Sequence, residues 1–208
     1  MKYLTVIIVF FICISLYATQ PERNVLSSYN NRCNSINTDI QSKDTGKQKI
    51  KITMEVQNLS STHGTTFNGV DFVVSYPVSP SFSVGLGTEY SHTGYHFDNG
   101  WNLTNLKFVP VFIDSKLDLT KHTILTPFVH LSTGISFANY TKEDINQLGK
   151  FYPVSEKGLY LYSGIGLSFR ISNYFATFID LGFKGYHMSF NALDVNPHGL
   201  TFRFGLEF

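Results

Sequence analysis

The chain has 208 residues, of which 16 are Lys or Arg and 15 are Asp or Glu, for a formal net charge of +1. Near-neutral charge removes the electrostatic case for nucleic-acid binding. A composition that is 43% hydrophobic and 15% aromatic excludes a disordered chain, and two cysteines cannot build a disulfide framework or a zinc site. The length fits one domain with a short appendage.

The segment MKYLTVIIVFFICISLYATQ places one base, Lys2, before an apolar run from Tyr3 to Tyr17, with Ala18 as a small residue for cleavage. This layout is that of a secretory signal peptide over 1–18. The run is shorter than the roughly 20 residues a spanning helix needs. Its removal takes away Lys2 and leaves a formally neutral chain with Cys33 as its one thiol, expected to be unpaired. Residues 19–47 form a polar leader in which Leu26, Tyr29, Cys33, Ile36 and Ile40 follow a helical spacing. Ser and Asn between them are poor helix formers, so a linker with at most a short helix is expected.

From residue 48 the apolar period becomes two. Ile50, Ile52, Met54 and Val56 alternate with Lys51, Thr53, Glu55 and Gln57, and the same pattern recurs to the end of the chain. Alternation of this kind marks strands with one apolar and one polar face. It predicts eight strands, at 48–58, 67–77, 81–92, 101–114, 124–138, 157–171, 174–187 and 199–208. In the fourth, Leu106, Phe108 and Phe112 compete with Val109, Val111 and Ile113 for the outer face, and Pro110 requires a bulge or a non-bonding position. Tight turns near Pro77–Pro80 and Ser172–Tyr174 contrast with longer connections at 59–66, 93–100, 139–156 and 188–198.

The apolar face is uniformly Leu, Ile, Val and Phe, whereas Gly69, Gly85, Gly87, Gly134, Gly164, Gly166, Gly182 and Gly205 fall on the other. Glu55, Asp71, Glu89, Asp180 and Glu207 share that second face with Lys51, Arg170, Lys184 and Arg203. A narrow interior explains both features, because enclosed charges must pair and glycine makes room for long neighbours. The expected fold is therefore all-β, an eight-stranded antiparallel up-and-down transmembrane β-barrel over 48–208, polar inside and apolar outside. Eight strands leave no wide pore, which disfavours a small-solute channel.

The last strand, LTFRFGLEF, alternates to the final residue and ends on Phe208. It resembles the assembly signal of Gram-negative outer-membrane β-barrels. The body resembles the small eight-stranded families: OmpX, the barrel domain of OmpA, the opacity-type proteins and the small outer-membrane barrels of Bacteroidetes. Likeness to the last group lies in YPVSPSFSVGLGTEYS, KFVPVFIDSKLDL and PFVHLSTGISF. The resemblance implies export to the outer membrane, a monomer in contact with outer-membrane lipid and lipopolysaccharide, and recognition by the barrel-assembly machinery through Phe208. It also implies a structural or surface-interaction role, with any surface ligand met by the extracellular loops.

Two His-x-Ser pairs, His130 with Ser132 and His187 with Ser189, place a base and a hydroxyl on one strand face. The second continues as HMSFNALDVNPHG and resembles the lipid A 3-O-deacylase family, whose site combines a His, a Ser and an orienting acid. Here Phe190 follows Ser189, Asn191 falls one place late, and the positions about twelve residues on are Thr201 and Phe202, not an acid. Without that acid the base is poorly held, so no enzyme is expected. A lipid A-modifying barrel using His187 and Ser189 is the alternative. His63, His92, His96, His122 and His198 lack metal-ligand spacing, and no catalytic, cofactor or metal site is expected.

Overall fold

The computed structural model describes residues 50–98, 101–120, 124–143, 149–172, 174–188 and 195–208. The expected signal peptide over 1–18, the leader over 19–47 with Cys33, His122 and Ser189 lie outside them. Eight strands follow in order: β1 (Lys51–Ser61), β2 (Thr66–Ser79), β3 (Phe82–Asp98), β4 (Trp101–Asp118), β5 (Leu125–Glu143), β6 (Phe151–Ser172), β7 (Phe175–His187) and β8 (His198–Glu207). Each pairs antiparallel with the next, and β1 pairs with β8, so the sheet closes into an up-and-down barrel. Closure extends to the final residue, where Phe208 and Ile52 exchange backbone hydrogen bonds of 2.9 and 3.0 Å.

The barrel is inverted relative to a water-soluble fold. Leu86 and Ile165 are 66% and 67% exposed, whereas Lys184 and Arg203 are 0% and 1% exposed. Outward apolar residues run from Leu200 on β8 to Phe208 just after it and from Leu159 to Ile171 on β6. Those eight and twelve residue steps span roughly 20 and 30 Å of depth at ~3.3 Å per residue and ~40° tilt. That brackets the ~25 Å apolar band of a transmembrane barrel, and with Tyr76, Tyr90 and Phe137 exposed toward its edges the fold is that of a transmembrane β-barrel.

The ambiguous strand resolves with Phe108, Pro110, Phe112 and Asp114 inside and Val111 and Ile113 outside. Pro110 needs no bulge. It sits in register opposite Ser136, while the β3–β4 ladder is interrupted where Glu89 and Tyr90 face Val109 and Pro110. Thr88 Oγ1 donates to the Pro110 carbonyl at 3.0 Å. A bulge does occur nearer the loops: one extra β4 residue lies between Thr104 and Lys107, with Asn105 at φ 53°. Asn tolerates this left-handed conformation better than most residues.

Several strands outrun the expected lengths. β3 and β4 pair out to Asp98 and Trp101, and β5 and β6 pair out to Glu143 and Phe151. The expected loops at 93–100 and 139–156 are thus mostly strand. Above the apolar band nothing selects apolar residues on the outer face, so the hydrophobic period fades while backbone pairing continues. β2 reaches β3 only as far as His92, and β7 reaches β6 only as far as Leu159. Strands β3–β6 therefore rise as a wall whose edges, β3 beyond His92 and β6 before Leu159, have no strand partner among the described residues. The first connection is a tight turn, in which Gly64 at φ 76° donates to the Ser61 carbonyl at 2.9 Å.

The inward glycines make room mainly for aromatic rings, not for charged chains as expected. A Cβ on Gly87, Gly166 or Gly205 would collide with the ring of Phe112, Phe128 or Phe178, and one on Gly164 or Gly182 with Tyr162. Rings laid across neighbouring strands fill the narrow interior, and the missing Cβ lets them lie flat. Gly205→Ala and Gly166→Ala are expected to cost about 1–3 kcal/mol each. Gly94→Ala, where a Cβ meets nothing within 4 Å, is expected to be neutral. The check is the temperature at which the folded band is lost on unheated detergent gels; equal values for all three variants would contradict this packing.

Candidate functional site: a filled lumen and a loop-side rim

The middle of the barrel holds a hydrogen-bonded charge network. Arg203 on β8 donates from Nη1 to Glu55 Oε2 at 3.3 Å and from Nη2 to the Tyr160 hydroxyl at 3.0 Å. The same Nη1 lies 3.8 Å from Asp71 Oδ2, and the guanidinium carbon sits 3.3 Å from the Tyr162 ring centroid. Gln57 Nε2 donates to Asp71 Oδ1 at 2.7 Å. Lys184 on β7 donates to Gln57 Oε1 and, at 3.0 Å, to Glu89 Oε2; Glu89 Oε1 in turn accepts from the Tyr186 hydroxyl. Enclosed charges of both signs, held this way, avoid the cost of an isolated buried ion.

A second group centres on His130. Its Nε2 lies 2.6 Å from Asp114 Oδ1 and its Nδ1 2.8 Å from Asp180 Oδ2, while Ser132 donates to the same Asp114 oxygen at 2.7 Å. His130 and Ser132 thus share a carboxylate instead of forming a base–nucleophile pair, and both are buried. Nearer the tight-turn end, Glu207 accepts from Lys51 at 2.8 Å and from Lys116 at 3.0 Å. Lys116 also lies over the rings of Phe128 and Phe178, 4.6 and 5.1 Å from their centroids.

The expected lumen charges therefore lie inside, except that Arg170, near the tight-turn end of β6 opposite Ala176, is exposed. Lys116, His130 and Asp114 join the network instead. Lys116 was missed because it falls in a polar stretch assigned to a connection.

Toward the loops the interior becomes apolar. Leu59, Phe67, Leu103, Leu106, Tyr140, Met188 and Val195 are buried, and Phe108 stacks on Tyr186 at a centroid distance of 4.2 Å. Above this plug, His63 from the first turn lies 6.0 Å from His96 of β3 and 5.8 Å from His198 of β8, ring centroid to centroid. His198 Nδ1 is 2.7 Å from the Asn196 carbonyl, and His96 Nδ1 is 3.0 Å from Thr65 Oγ1. Among the described residues no group of three or more His, Cys, Asp or Glu is arranged to hold a metal ion. This clustering was invisible in sequence because the three residues come from distant segments.

His187 ends β7 on the outer face and is exposed, opposite Leu159 of β6. Lys157 is the next outward residue on β6, and on the β8 side the last pair of the ladder is Gly185 with His198. Its sequence partner Ser189 lies outside the described residues, so the pairing of the two is a matter of sequence alone.

No protein-family model and no curated protein matches the chain. Its structural neighbours are small eight-stranded outer-membrane β-barrels. The N-terminal β-barrel domain of Pseudomonas aeruginosa OprF is 16% identical, with 78% of this chain and 100% of that chain covered and a TM-score of 0.49. Ail, the attachment invasion locus protein of Yersinia pestis, is 15% identical, with 76% and 96% covered and a TM-score of 0.46. Neisserial surface protein A is 12% identical, with 76% and 94% covered and a TM-score of 0.45. The fold assignment rests on the ring of strand pairings and the inverted burial described above.

Removing the network's central cation leaves Glu55 and Asp71 as enclosed carboxylates short of a partner. Arg203→Ala is expected to destabilise the barrel by about 3–5 kcal/mol, read as loss of heat-resistant mobility on detergent gels. Lys150→Ala, at an exposed position outside the barrel, is expected to leave mobility unchanged. Equal behaviour of the two variants would contradict a lumen held by charge pairing.

Proposed function

We propose that this chain is an outer-membrane protein of a Gram-negative bacterium with a structural and surface-interaction role. The observation that carries the reading is the pairing of an apolar outer belt with a filled interior, raised on one side into the β3–β6 wall. Residues 1–18 supply the export signal, and the strand ending in Phe208 is the element offered to the barrel-assembly machinery. Both ends of the barrel chain then lie on the periplasmic side, with the wall and the histidine-bearing rim outside the cell. Arg203, Lys184, Tyr160, Tyr186 and Phe112 are each at most 2% exposed and fill the cross-section, which supports a role that does not conduct solutes.

The wall is where a partner fits best. The edges of β3 and β6, which have no strand partner among the described residues, would present backbone donors and acceptors above the membrane, the feature by which extended segments add to a sheet. A lipid-modifying activity at His187 is not part of this reading, because the positions about twelve residues after Ser189 are Thr201 and Phe202 and not an acid.

Three measurements test the proposal. Membrane fractionation is expected to recover the protein in the outer membrane, and recovery in the soluble periplasm would overturn it. Phe208→Ala is expected to reduce the assembled fraction while export continues. Mass spectrometry of lipid A from expressing cells is expected to show no acyl-chain loss; a loss abolished by His187→Ala or Ser189→Ala would replace this reading with the enzymatic one.

A further inference from the structure

The two edges of the outward apolar belt differ in kind. At the tight-turn edge the exposed apolar residues include Tyr76, Phe169, Ile171, Tyr174 and Phe208. Just above the belt on the loop side of β3–β6, one outward row across the strands is made of bases, amides and a hydroxyl. His92 stands opposite Lys107, Lys107 opposite Asn139, and Asn139 opposite Ser155. Lys157 follows, opposite Phe137. No carboxylate occurs in this outward row. Among the described residues, Glu143 lies farther up, at the far end of β5, where it accepts from the Gly149 amide at 3.4 Å. Lys107 and Lys157 are both exposed, and among the described residues neither has an ion-pair partner.

The β4 bulge makes a place for a ligand in this row. The extra residue at Asn105 opens a notch of about 480 Å³ on the outer face, lined in part by Asn105, Lys107, Asn139, Thr141 and Ser155. The polar side chains lining it are one cation and neutral groups able to donate hydrogen bonds, and the nearby Glu156 is buried on the inner side against Tyr140. Immediately toward the membrane the outward residues become Val109, Phe137 and Leu159. A ligand in the notch therefore has an anionic, hydrogen-bond-accepting part above and an apolar part below.

We propose that this notch, with Lys107 in it and Lys157 beside it, is a binding subsite for the phosphate of a phosphorylated glycolipid in the outer leaflet. The amide and hydroxyl donors would take the sugar and phosphate oxygens, and the acyl chains would run down over Val109 and Phe137. The inference rests on the outer-membrane reading for the choice of lipid. The site chemistry itself, a phosphate next to an apolar wall, does not depend on it.

The test uses the full chain purified in detergent, with folding checked by gel mobility. Native mass spectrometry then counts retained bisphosphorylated lipid A, lipid A stripped of phosphate, and the first in competition with millimolar inorganic phosphate. Retention of the phosphorylated form is expected, with dephosphorylated lipid A held at least about ten-fold more weakly. Each lysine near a charged membrane surface contributes roughly five-fold in affinity. Lys107→Ala should therefore weaken retention by about that factor, and Lys107→Ala with Lys157→Ala by about 25-fold if the two act independently. Lys107→Arg should retain the lipid, and Lys150→Ala should match the parent. Equal retention of the two lipids, or a double variant indistinguishable from the parent, overturns the proposal. Full displacement by inorganic phosphate assigns the notch to a free anion and overturns the lipid. Because the assay uses purified protein, its result stands apart from fractionation: recovery in another compartment with lysine-dependent binding intact would sink the location alone.

Discussion

A strand in hydrocarbon must give every backbone amide and carbonyl to a neighbour, since no water is there to accept them. The β1–β8 seam is where this chain meets that demand. Met54 opposite Leu206 and Val56 opposite Phe204 join the two ends of the sheet, and Ile52 and Phe208 complete the ladder at its margin. Without this seam two bare edges would face lipid. With it, the outer face needs only apolar side chains, and the inner face must accept whatever alternation places there.

That second consequence shapes the lumen. Every other residue is forced into a closed space too narrow for water to solvate charges freely, so polar side chains are held there only in mutual pairs. Arg203 answers Glu55 and Asp71, Lys184 answers Glu89, and His130 bridges Asp114 and Asp180. Aromatic rings resting over glycines on adjacent strands fill the remaining space. The apolar plug toward the loops caps the charge network, and the histidine-bearing rim lies above it. Stability and occlusion are thus two results of the same packing.

Most of the barrel was legible in the sequence because lipid imposes a strict test on each outward position. Ile50 to Val56, Leu159 to Phe169 and Leu200 to Phe208 each announce their strand. Legibility ends where that selection ends. β3 past His92 and β5 past Phe137 keep pairing with no hydrophobic period to show it, so the wall looked like loops. Phe108 and Phe112 were equivocal because an aromatic ring suits lipid and lumen alike, and only the positions of Gly87 and Tyr160 across the ring make the inner place available. The loop-side rim was the least legible part. His63, His96 and His198 meet, and Asn105 opens its notch beside Lys107, through register set by distant strands.

Closure of the seam is the claim on which the rest depends, and backbone amide hydrogen exchange in a lipid bilayer reads it directly. Amides of β1 from Ile52 to Leu59 and of β8 from Thr201 to Phe208 are expected to be protected to the same degree as those of β5 and β6. Rapid exchange of the alternate β1 and β8 amides that face each other, with their other neighbours protected, would show an open edge and contradict the barrel.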